Sequence, residues 1–549
     1  AAGSETLPPR TARLLLAVGL VALALVPRLA RQIQLTGWIP LDKPPEALED
    51  RARDVLHALG PVSPAADHAM GFRVDEDYLL YLQSRSSGDD RWAPLAASRP
   101  AALHFWYRQS PRPIRSTMMI GSVSWLNPVP DVTDMAGVEL DLEGRLLGFQ
   151  AVTPQLESDG KAEPAPDWAP LFAEARLDPT QYTPADPRWT PPFYADARVA
   201  WVRADPSRTE LPARIEAAAY RGRPVSFQLV DTWTRPDRMI PFRLTSGQMA
   251  GLRVGVAFLL ALTFGALRLA RDNLRLGRGD RRGASRVAGV TLILILVSWL
   301  ITAHHVPDML DELVLTLHGI SLVLAVAASL WILYVALEPY VRRQWPETLV
   351  SWTRVLAGRH RDPAVGRDLL VGAAIGCAFT VIYVFAWTTL VPLAGGAPPH
   401  LTNDDDVLLG TRFALASLIF IIVGAVANGF GLALLRVGLS RLLRNEVAVA
   451  AVFALTISLQ DAFFLGGRLW LMLPLVAIVS GLPVYLIVRL GVLPSTVALF
   501  TTSMLLSFPA PVSAGHWSAT AGLMGLAITG AFLVYGYVTS QAGRLRAAF

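Results

Sequence analysis

The stretch VAGVTLILILVSWLITAHH, residues 287–305, contains no aspartate, glutamate, lysine or arginine. A helix needs about 20 predominantly apolar residues to cross the hydrocarbon core of a bilayer. This stretch therefore predicts a transmembrane helix. Similar segments recur along the chain, and the ten predicted spans are 13–32, 249–267, 287–305, 313–337, 369–392, 409–435, 446–464, 470–488, 491–508 and 519–538.

Charge is concentrated between the first and second spans. Only 17% of the 549 residues are charged, and 29 of the 44 acidic residues lie in 35–245, whereas a soluble domain carries about 25% charged residues throughout. We therefore expect a multi-span α-helical membrane bundle of about ten transmembrane helices with an inserted α+β domain. The expected units are a cytoplasmic tail with the first transmembrane helix over 1–34, an extracytoplasmic domain over 35–245, and the bundle over 246–549. A secretory signal peptide is the alternative interpretation of the first span.

The arginine positions predict the orientation of the bundle. Lys43 and Lys161 are the only lysines among the 49 basic residues, and arginines crowd the connections 268–286 and 342–367. Cytoplasmic loops are enriched in basic residues, so both termini are expected in the cytoplasm and the protein in the inner (cytoplasmic) membrane. The lipid bilayer is the expected partner of these arginines, and nucleic acid is not.

Two sequence matches predict an internal duplication of the polar domain. Trp106-x-Arg108-x-x-Pro111 resembles Trp201-x-Arg203-x-x-Pro206, and Gly144-Arg145 followed by Phe149-Gln150 resembles Gly222-Arg223 followed by Phe227-Gln228. The surrounding alternation is typical of strands, with each Gly-Arg pair at a hairpin turn. A helix precedes each copy. The expected repeats are 40–155 and 165–235, each a helix followed by antiparallel strands.

The cytoplasmic segment 338–368 is the most distinctive motif. Leu349, Trp352 and Leu356 recur at helical spacing, which predicts a helix in the membrane interface with its arginines facing lipid phosphates. A purely structural connector between spans is the alternative. The candidate coupling residues are Glu338, Pro339, Arg342, Arg343, Trp345, Trp352, Arg361, Asp362, Arg367 and Asp368.

The same segment, ALEPYVRRQWPETLVSWTRVLAGRHRDPAVGRDLL, resembles the membrane region of bacterial eukaryotic-like serine/threonine protein kinases. The segments IPLDKPPEALEDRARDVL and FWYRQSPRPI are similar to that group as well. This resemblance implies a cytoplasmic kinase domain ahead of Ala1, which would supply the ATP and Mg²⁺ sites. An initial alanine rather than methionine is expected of a fragment or a processed chain.

Kinase catalytic motifs are missing from the chain itself. His360-Arg361-Asp362 matches part of a catalytic loop, but Arg367 occupies the position of the metal-binding asparagine and no Asp-Phe-Gly follows. Neither lysine lies in the context of the strand lysine that binds ATP phosphates. We therefore expect no catalytic residue and no cofactor in these 549 residues.

Two further groups of polar residues are candidates for function. One hypothesis is that a divalent metal binds to the set His304, His305, Asp308 and Glu312. The alternative is that these residues belong to an ordinary solvated loop. The single cysteine, Cys377, excludes an intrachain disulfide and a cysteine-based zinc site. Polar residues within predicted spans are His318, Asn428, Gln460 and Asp461, which predict either hydrogen bonds between helices or an ion path.

Three functions are compatible with these patterns. The first is a non-catalytic sensor and transducer of a serine/threonine kinase-like signalling protein, with an envelope ligand outside and a kinase domain inside. The alternative is a transporter- or permease-like protein with an accessory domain, for which Gly466-Gly467 and Gly481–Pro483 would mark interrupted spans. The third is a membrane-embedded, metal-dependent enzyme.

Overall fold

The computed structural model describes residues 7–60, 63–85, 89–156, 165–240, 244–390, 393, 405–465, 468–510 and 515–545. Its helices are α1 (Pro9–Ala30), α2 (Pro45–Leu59), α3 (Glu76–Arg85), α4 (Ala169–Ala175), α5 (Ser246–Arg275), α6 (Arg281–Thr302), α7 (Met309–Gln344), α8 (Val350–Leu356), α9 (Pro363–Thr389), α10 (Thr411–Leu442), α11 (Glu446–Leu465), α12 (Leu469–Val476), α13 (Leu482–Leu490), α14 (Val492–Ser507) and α15 (Ala519–Leu545). The strands are β1 (Asp67–Val74), β2 (Leu103–Ser110), β3 (Ala136–Leu140), β4 (Leu146–Ala151), β5 (Tyr182–Ala185), β6 (Ala197–Arg203), β7 (Arg214–Tyr220) and β8 (Arg223–Val230).

Nine of the described helices are long and apolar enough to cross a bilayer, with α12 and α13 joined into one by a π-helical turn over Ala477–Gly481. The predicted span 491–508 becomes α14, which has only 16 residues. Nearly all its side chains are buried, so other helices rather than lipid surround it. The chain is therefore a multi-pass bundle with one short, enclosed helix.

Glycines let α9 approach its neighbours closely. A Cβ added to Gly372 would lie 2.7 Å from the Pro494 carbonyl oxygen of α14, and one added to Gly376 would lie 2.7 Å from the Ala498 oxygen. On the other side of α9, a Cβ at Gly366 would lie 2.4 Å from the Ser540 amide of α15. Small residues four apart are a common basis of tight helix packing in membranes. They place α9 at the centre of the bundle.

The arginine-rich connections lie together at one end of the bundle, which we call the arginine end. Arg286 Nη1 donates a 2.9 Å hydrogen bond to the Leu356 carbonyl, and Tyr535 Oη donates a 3.1 Å bond to the His360 carbonyl. These bonds join α6 and α15 to the segment around α8. The assignment of the arginine end to the cytoplasm remains a prediction from the positive-inside rule.

The residues between α1 and α5 form what we call the sheet domain, 35–240, at the opposite end. Its eight antiparallel strands have the order β1-β2-β3-β4-β8-β7-β6-β5. Helices α2 and α4 cover one face, and the core between helices and sheet includes Leu48, Val55, Leu56, Phe105, Val138, Phe149, Leu171, Phe172, Ile215 and Phe227. Leu408 and Leu409, from the bundle, complete this core, so the two parts share apolar surface.

The strand order divides the sheet into two similar halves. Strands β4 and β8 meet at the centre, where Phe149 pairs with Phe227. Each half has a helix ahead of four antiparallel strands, although the first half also contains α3 between β1 and β2. The hairpin glycines Gly144 and Gly222 both have φ of +78°. Register shifts occur at Glu139/Leu140 and at Ala218/Ala219. This twofold arrangement is compatible with an internal duplication, which remains a prediction.

The Trp-x-Arg match does not occupy equivalent positions in the two halves. Val138 of β3 and Ala217 of β7 are equivalent positions in the two halves. The partner of Val138 on β2 is Tyr107, and the partner of Ala217 on β6 is Val199. By this register Trp201 is equivalent to Gln109, three residues from Trp106. An odd shift moves a side chain to the opposite face of a strand. Of the two sequence matches, only the Gly-Arg and Phe-Gln match therefore occupies equivalent positions in the two halves of the sheet.

We expect Gly372→Ala to destabilise the bundle, because the added methyl group meets the α14 backbone and overpacking costs about 1–3 kcal/mol. Gly424→Ala on α10 is the matched control, since its Cβ would meet no atom within 4 Å. Unfolding in detergent can be followed by reaction of the buried Cys377 thiol with a fluorescent dye. Equal midpoints for the two variants would contradict the close-packing account.

Candidate functional site

A cleft of about 980 Å³ lies on the face of the sheet opposite α2 and α4. The strands β1 to β4 and β8 form its floor, and the segments 124–126, 188–192 and 231–239 form its walls. Side chains alternate between the two faces of a strand. Because Phe149 and Phe227 point into the helix-covered core, the adjacent residues of β4 and β8 face the cleft.

The centre of the floor is polar and lies at the junction of the two halves. Gly148 pairs with Gln228, and Gln150 pairs with Ser226. The Nε2 atom of Gln150 is buried and has no hydrogen-bond partner. A buried amide donor without a partner is costly, so this atom is available to a ligand that accepts a hydrogen bond.

One side of the floor carries a paired cation. Arg73 Nη2 lies 2.7 Å from Glu139 Oε1 and 3.1 Å from His104 Nδ1. His104 Nε2 lies 3.2 Å from the Ala101 carbonyl oxygen, which can only accept, so Nε2 carries the proton and Nδ1 accepts from Arg73. Burial and the Arg73 charge both lower the pKa of His104. This histidine is therefore held neutral beside the charged pair.

The wall formed by residues 231–239 contains a carboxyl group with an unusual pKa. Burial raises the pKa of Asp231 to about 6, although the Ala213 amide donates a 2.9 Å hydrogen bond to Oδ1 and Arg203 also favours the charged form. The adjacent Trp233 ring lies between the rings of Tyr78 and Tyr81, with both centroid separations at 4.8 Å. This wall combines a titratable acid with an aromatic stack.

Arg108 holds the third wall in place. Its Nη1 donates hydrogen bonds of 2.7 and 3.1 Å to the carbonyl oxygens of Ser124 and Trp125. Burial lowers the pKa of Arg108 to about 10, yet the group remains a cation near neutral pH. The Trp125 ring packs on Gly137, where a Cβ would lie 2.7 Å from the ring. The cleft is therefore preformed by buried contacts.

These side chains are suited to bind a polar ligand. Amide groups, paired charges and aromatic rings around a concave space are the usual features of a small-molecule site. Sequence reasoning missed the residues Arg73, His104, Glu139, Gln150, Gln228 and Asp231. Each is an isolated polar residue on or beside a strand, and only the pairing of β4 with β8 brings the two halves together.

The sheet domain is linked to the bundle at the start of β1. Asp67 Oδ2 lies 2.9 Å from His304 Nε2, just beyond the end of α6. Burial acts to raise the pKa of Asp67, but hydrogen bonds from His304 and the Ile114 amide outweigh it and lower the pKa. A second contact is the 2.6 Å hydrogen bond from Trp517 Nε1 to the Leu41 carbonyl.

The predicted metal ligands make separate contacts. His304 bonds to Asp67, whereas His305 Nδ1 lies 2.6 Å from Glu312 Oε1. Asp308 accepts hydrogen bonds from the Leu310 and Asp311 amides at the start of α7. In the part of the chain that the structure describes, no three histidine, cysteine or acidic side chains converge as metal ligands would.

The polar residues within the spans do not converge either. His318, Asn428 and Asp461 lie on α7, α10 and α11, and all three are exposed on the helix surfaces. The side chain of Gln460 and the pair Gly466-Gly467 lie outside the described residues.

The segment 338–368 packs against the arginine end. Trp352 is buried edge-to-face against Phe430, with ring centroids 5.2 Å apart, and the Arg436 guanidinium lies 3.9 Å from the centroid of the Trp345 ring. Both tryptophans thus contact α10. The contacts favour the structural connector over the interfacial helix.

Ion pairs and hydrogen bonds hold most of the other coupling candidates. Glu338 is buried, pairs with Arg342 at 2.5 Å and accepts a 3.3 Å bond from the Asp280 amide. The remaining placements are Pro339 buried in α7, Arg343 and Arg361 exposed, Asp362 paired with Arg354 at 2.6 Å, Arg367 paired with Asp368 at 2.8 Å, and Asp368 accepting from Ser351.

Comparison of the chain with protein-family models, curated proteins and solved structures found no match. The resemblance to the kinase membrane region therefore remains a prediction.

We expect stability to fall as pH rises from about 4 to 6 because of Asp231. Its pKa is raised from 3.8 to about 6, so the folded chain binds more protons than the unfolded chain in this window. Asp231→Asn keeps an acceptor for the Ala213 amide and should remove this decline. Unfolding of the full chain, followed by tryptophan fluorescence between pH 4 and 7, measures it. The exposed Asp42→Asn is the control, and an unchanged pH profile in Asp231→Asn would contradict the assignment.

Proposed function

We propose that this chain is the non-catalytic sensing and transducing part of a membrane signalling protein. The cleft of the sheet domain binds an envelope ligand, and the bundle transmits its occupancy to the arginine end. The observation that carries this proposal is the placement of Arg73 and Asp67 on one strand. Arg73 lines the cleft and Asp67 pairs with His304 of the bundle.

The cleft chemistry defines the class of ligand. The Gln150 amide calls for a hydrogen-bond acceptor, and Trp106, Trp125 and Trp189 supply apolar ring surface around it. The arginines of the walls are largely offset by nearby carboxylates, so the cleft does not select strongly for one net charge. A saccharide or a short zwitterionic peptide has the required polar groups and apolar faces.

Strand β1 is the proposed mechanical link. A ligand that contacts Arg73 or its partner Glu139 acts on β1, which begins at the Asp67–His304 contact some 20 Å away at about 3.3 Å per residue. His304 lies in the turn between α6 and α7. Both helices continue to the arginine end, where the Asp280 amide contacts Glu338. Transmission requires that the protein have two conformations along this route and that the ligand bind them with different affinities.

The resemblance to kinase membrane regions gives the arginine end its proposed partner. A kinase domain ahead of Ala1 would lie beside this end, because α1 begins there and Gln541 Nε2 of α15 donates a 3.3 Å bond to the Leu7 carbonyl. In this proposal the upstream domain supplies ATP and Mg²⁺ binding, and the present chain supplies the signal.

A transporter is the second candidate, favoured by the π-helical turn between α12 and α13. Gly481 in this turn approaches α11, and a Cβ there would lie 2.5 Å from the Ala454 carbonyl oxygen. Interrupted helices line the substrate sites of many transporters. Uptake of a ligand into proteoliposomes would favour this candidate, whereas binding without uptake favours the sensor.

We expect Gln150→Leu to weaken ligand binding at least tenfold, because it removes a central hydrogen-bond donor from the cleft. Thermal-shift screening of the full chain against saccharides, amino acids and short peptides identifies the ligand, and calorimetry gives its affinity. Gln155→Leu is the matched control, since Gln155 is exposed and does not line the cleft. Equal affinities for the two variants would exclude the cleft as the binding site.

We expect Asp67→Asn to preserve binding but weaken transmission, because it removes the charge that faces His304. Ligand-dependent hydrogen exchange in the segment 350–362 is the measurement, and it should decrease severalfold in this variant. The exposed Asp54→Asn on α2 is the control. A full exchange response in Asp67→Asn would contradict the route through β1.

A further inference from the structure

A short apolar loop protrudes from the sheet domain between β2 and β3. Met118, Met119 and Ile120 are consecutive, and their exposed fractions are 41%, 57% and 48%. Contiguous exposed apolar side chains usually mark a surface that contacts another apolar phase. The cleft lining does not include them, so they have no role in the proposed ligand site.

Direct contacts hold this loop against two spans of the bundle. The His304 amide donates a 2.8 Å hydrogen bond to the Gly121 carbonyl. Gly121 packs so closely that an added Cβ would lie 2.9 Å from both the Ala303 and Leu315 side chains. Arg115 Nε lies 2.5 Å from Asp311 Oδ2 of α7. The position of the loop is therefore defined by the ends of α6 and α7.

The contact with Leu315 places the loop alongside the α7 span. Leu315 is six residues beyond Met309, where α7 begins, and a helix rises about 1.5 Å per residue. The loop thus reaches about 9 Å along α7. Leu315 lies inside the predicted span 313–337, so the loop reaches the level at which that span begins.

Part of the backbone on either side of Met119 and Ile120 is paired within the loop. The Gly121 amide donates a 2.9 Å hydrogen bond to the Met118 carbonyl, and the Met118 amide donates to Ser116 Oγ at 3.1 Å. Ser116 Oγ in turn donates to the Ser122 carbonyl at 2.6 Å. Internal pairing reduces the cost of placing backbone groups near hydrocarbon.

We propose that residues 118–120 insert into the bilayer leaflet on the side of the sheet domain and anchor that domain to lipid. Methionine side chains are flexible and fill irregular apolar surroundings such as lipid chains. The exposed Arg112 precedes the loop, where it can face lipid phosphates. Lipid is the occupant because the loop contacts Ala303 and Leu315, at the sheet-domain ends of two helices that are long and apolar enough to cross a bilayer.

This anchor acts on the sheet domain through β2. The loop follows β2 after a few residues, and β2 carries His104 and Trp106 of the cleft. Lipid insertion would therefore restrain the same sheet that holds the cleft. The proposal does not require that the cleft bind a ligand.

Depth measurement with a fluorescent label tests the proposal. Met119→Cys and, as a matched control, Leu80→Cys are labelled with an environment-sensitive dye in the full chain. Cys377 is buried and stays unlabelled in the folded protein. Leu80 is 47% exposed but lies on α3, beyond the end of β1 that is remote from His304. Both proteins are placed in phosphatidylcholine nanodiscs with or without lipids that carry a doxyl quencher on the acyl chain.

We expect a blue-shifted emission at position 119 and at least twofold stronger quenching by doxyl lipid than at position 80. Solvent-like emission and no quenching at position 119 would overturn the proposal. Equal quenching at both positions would overturn it as well, because the whole domain would then lie on the bilayer. Met119→Asp, which should lower the quenching of a label at position 118, provides a second check if the first label perturbs the loop.

Discussion

The close approach of α9 to α14 and α15 is the constraint on which the rest of the bundle depends. Gly366, Gly372 and Gly376 leave no space for a side chain at these contacts. Without a hydrophobic driving force between helices in lipid, association relies on such packing and on hydrogen bonds. The short α14 illustrates the consequence, because it is enclosed by helices that are themselves long enough to cross the bilayer.

The sheet domain has a second organising feature, the pairing of β4 with β8. This pairing joins two similar halves and directs Phe149 and Phe227 into one core. It also leaves Gly148, Gln150, Ser226 and Gln228 together on the other face. The cleft is thus a consequence of joining the halves, and its charged walls come from segments of both. The proposed sensor would use residues from each half at once.

Particular residues show how far sequence reasoning extended. The Gly-Arg pairs predicted both hairpins because a left-handed backbone at a tight turn favours glycine. The Trp-x-Arg match predicted equivalent positions that the fold does not have. Trp201 is displaced by three residues from the position equivalent to Trp106, so the two side chains lie on opposite faces of the sheet. The cleft residues gave no local signal, because Arg73 and Glu139 become neighbours through strand pairing alone. Trp345 and Trp352 suggested a lipid interface, yet both pack on α10.

The amino-acid sequence by itself determined the approximate limits of the apolar helices, the separation of a polar domain and the gathering of arginines at alternate connections. These properties follow from local hydrophobicity and charge, which each segment carries independently of its neighbours. The tertiary structure alone decided which residues form the cleft, how Asp67 meets His304 and where Met118 to Ile120 lie. These depend on distances between residues far apart in the chain, which only strand register and helix packing define.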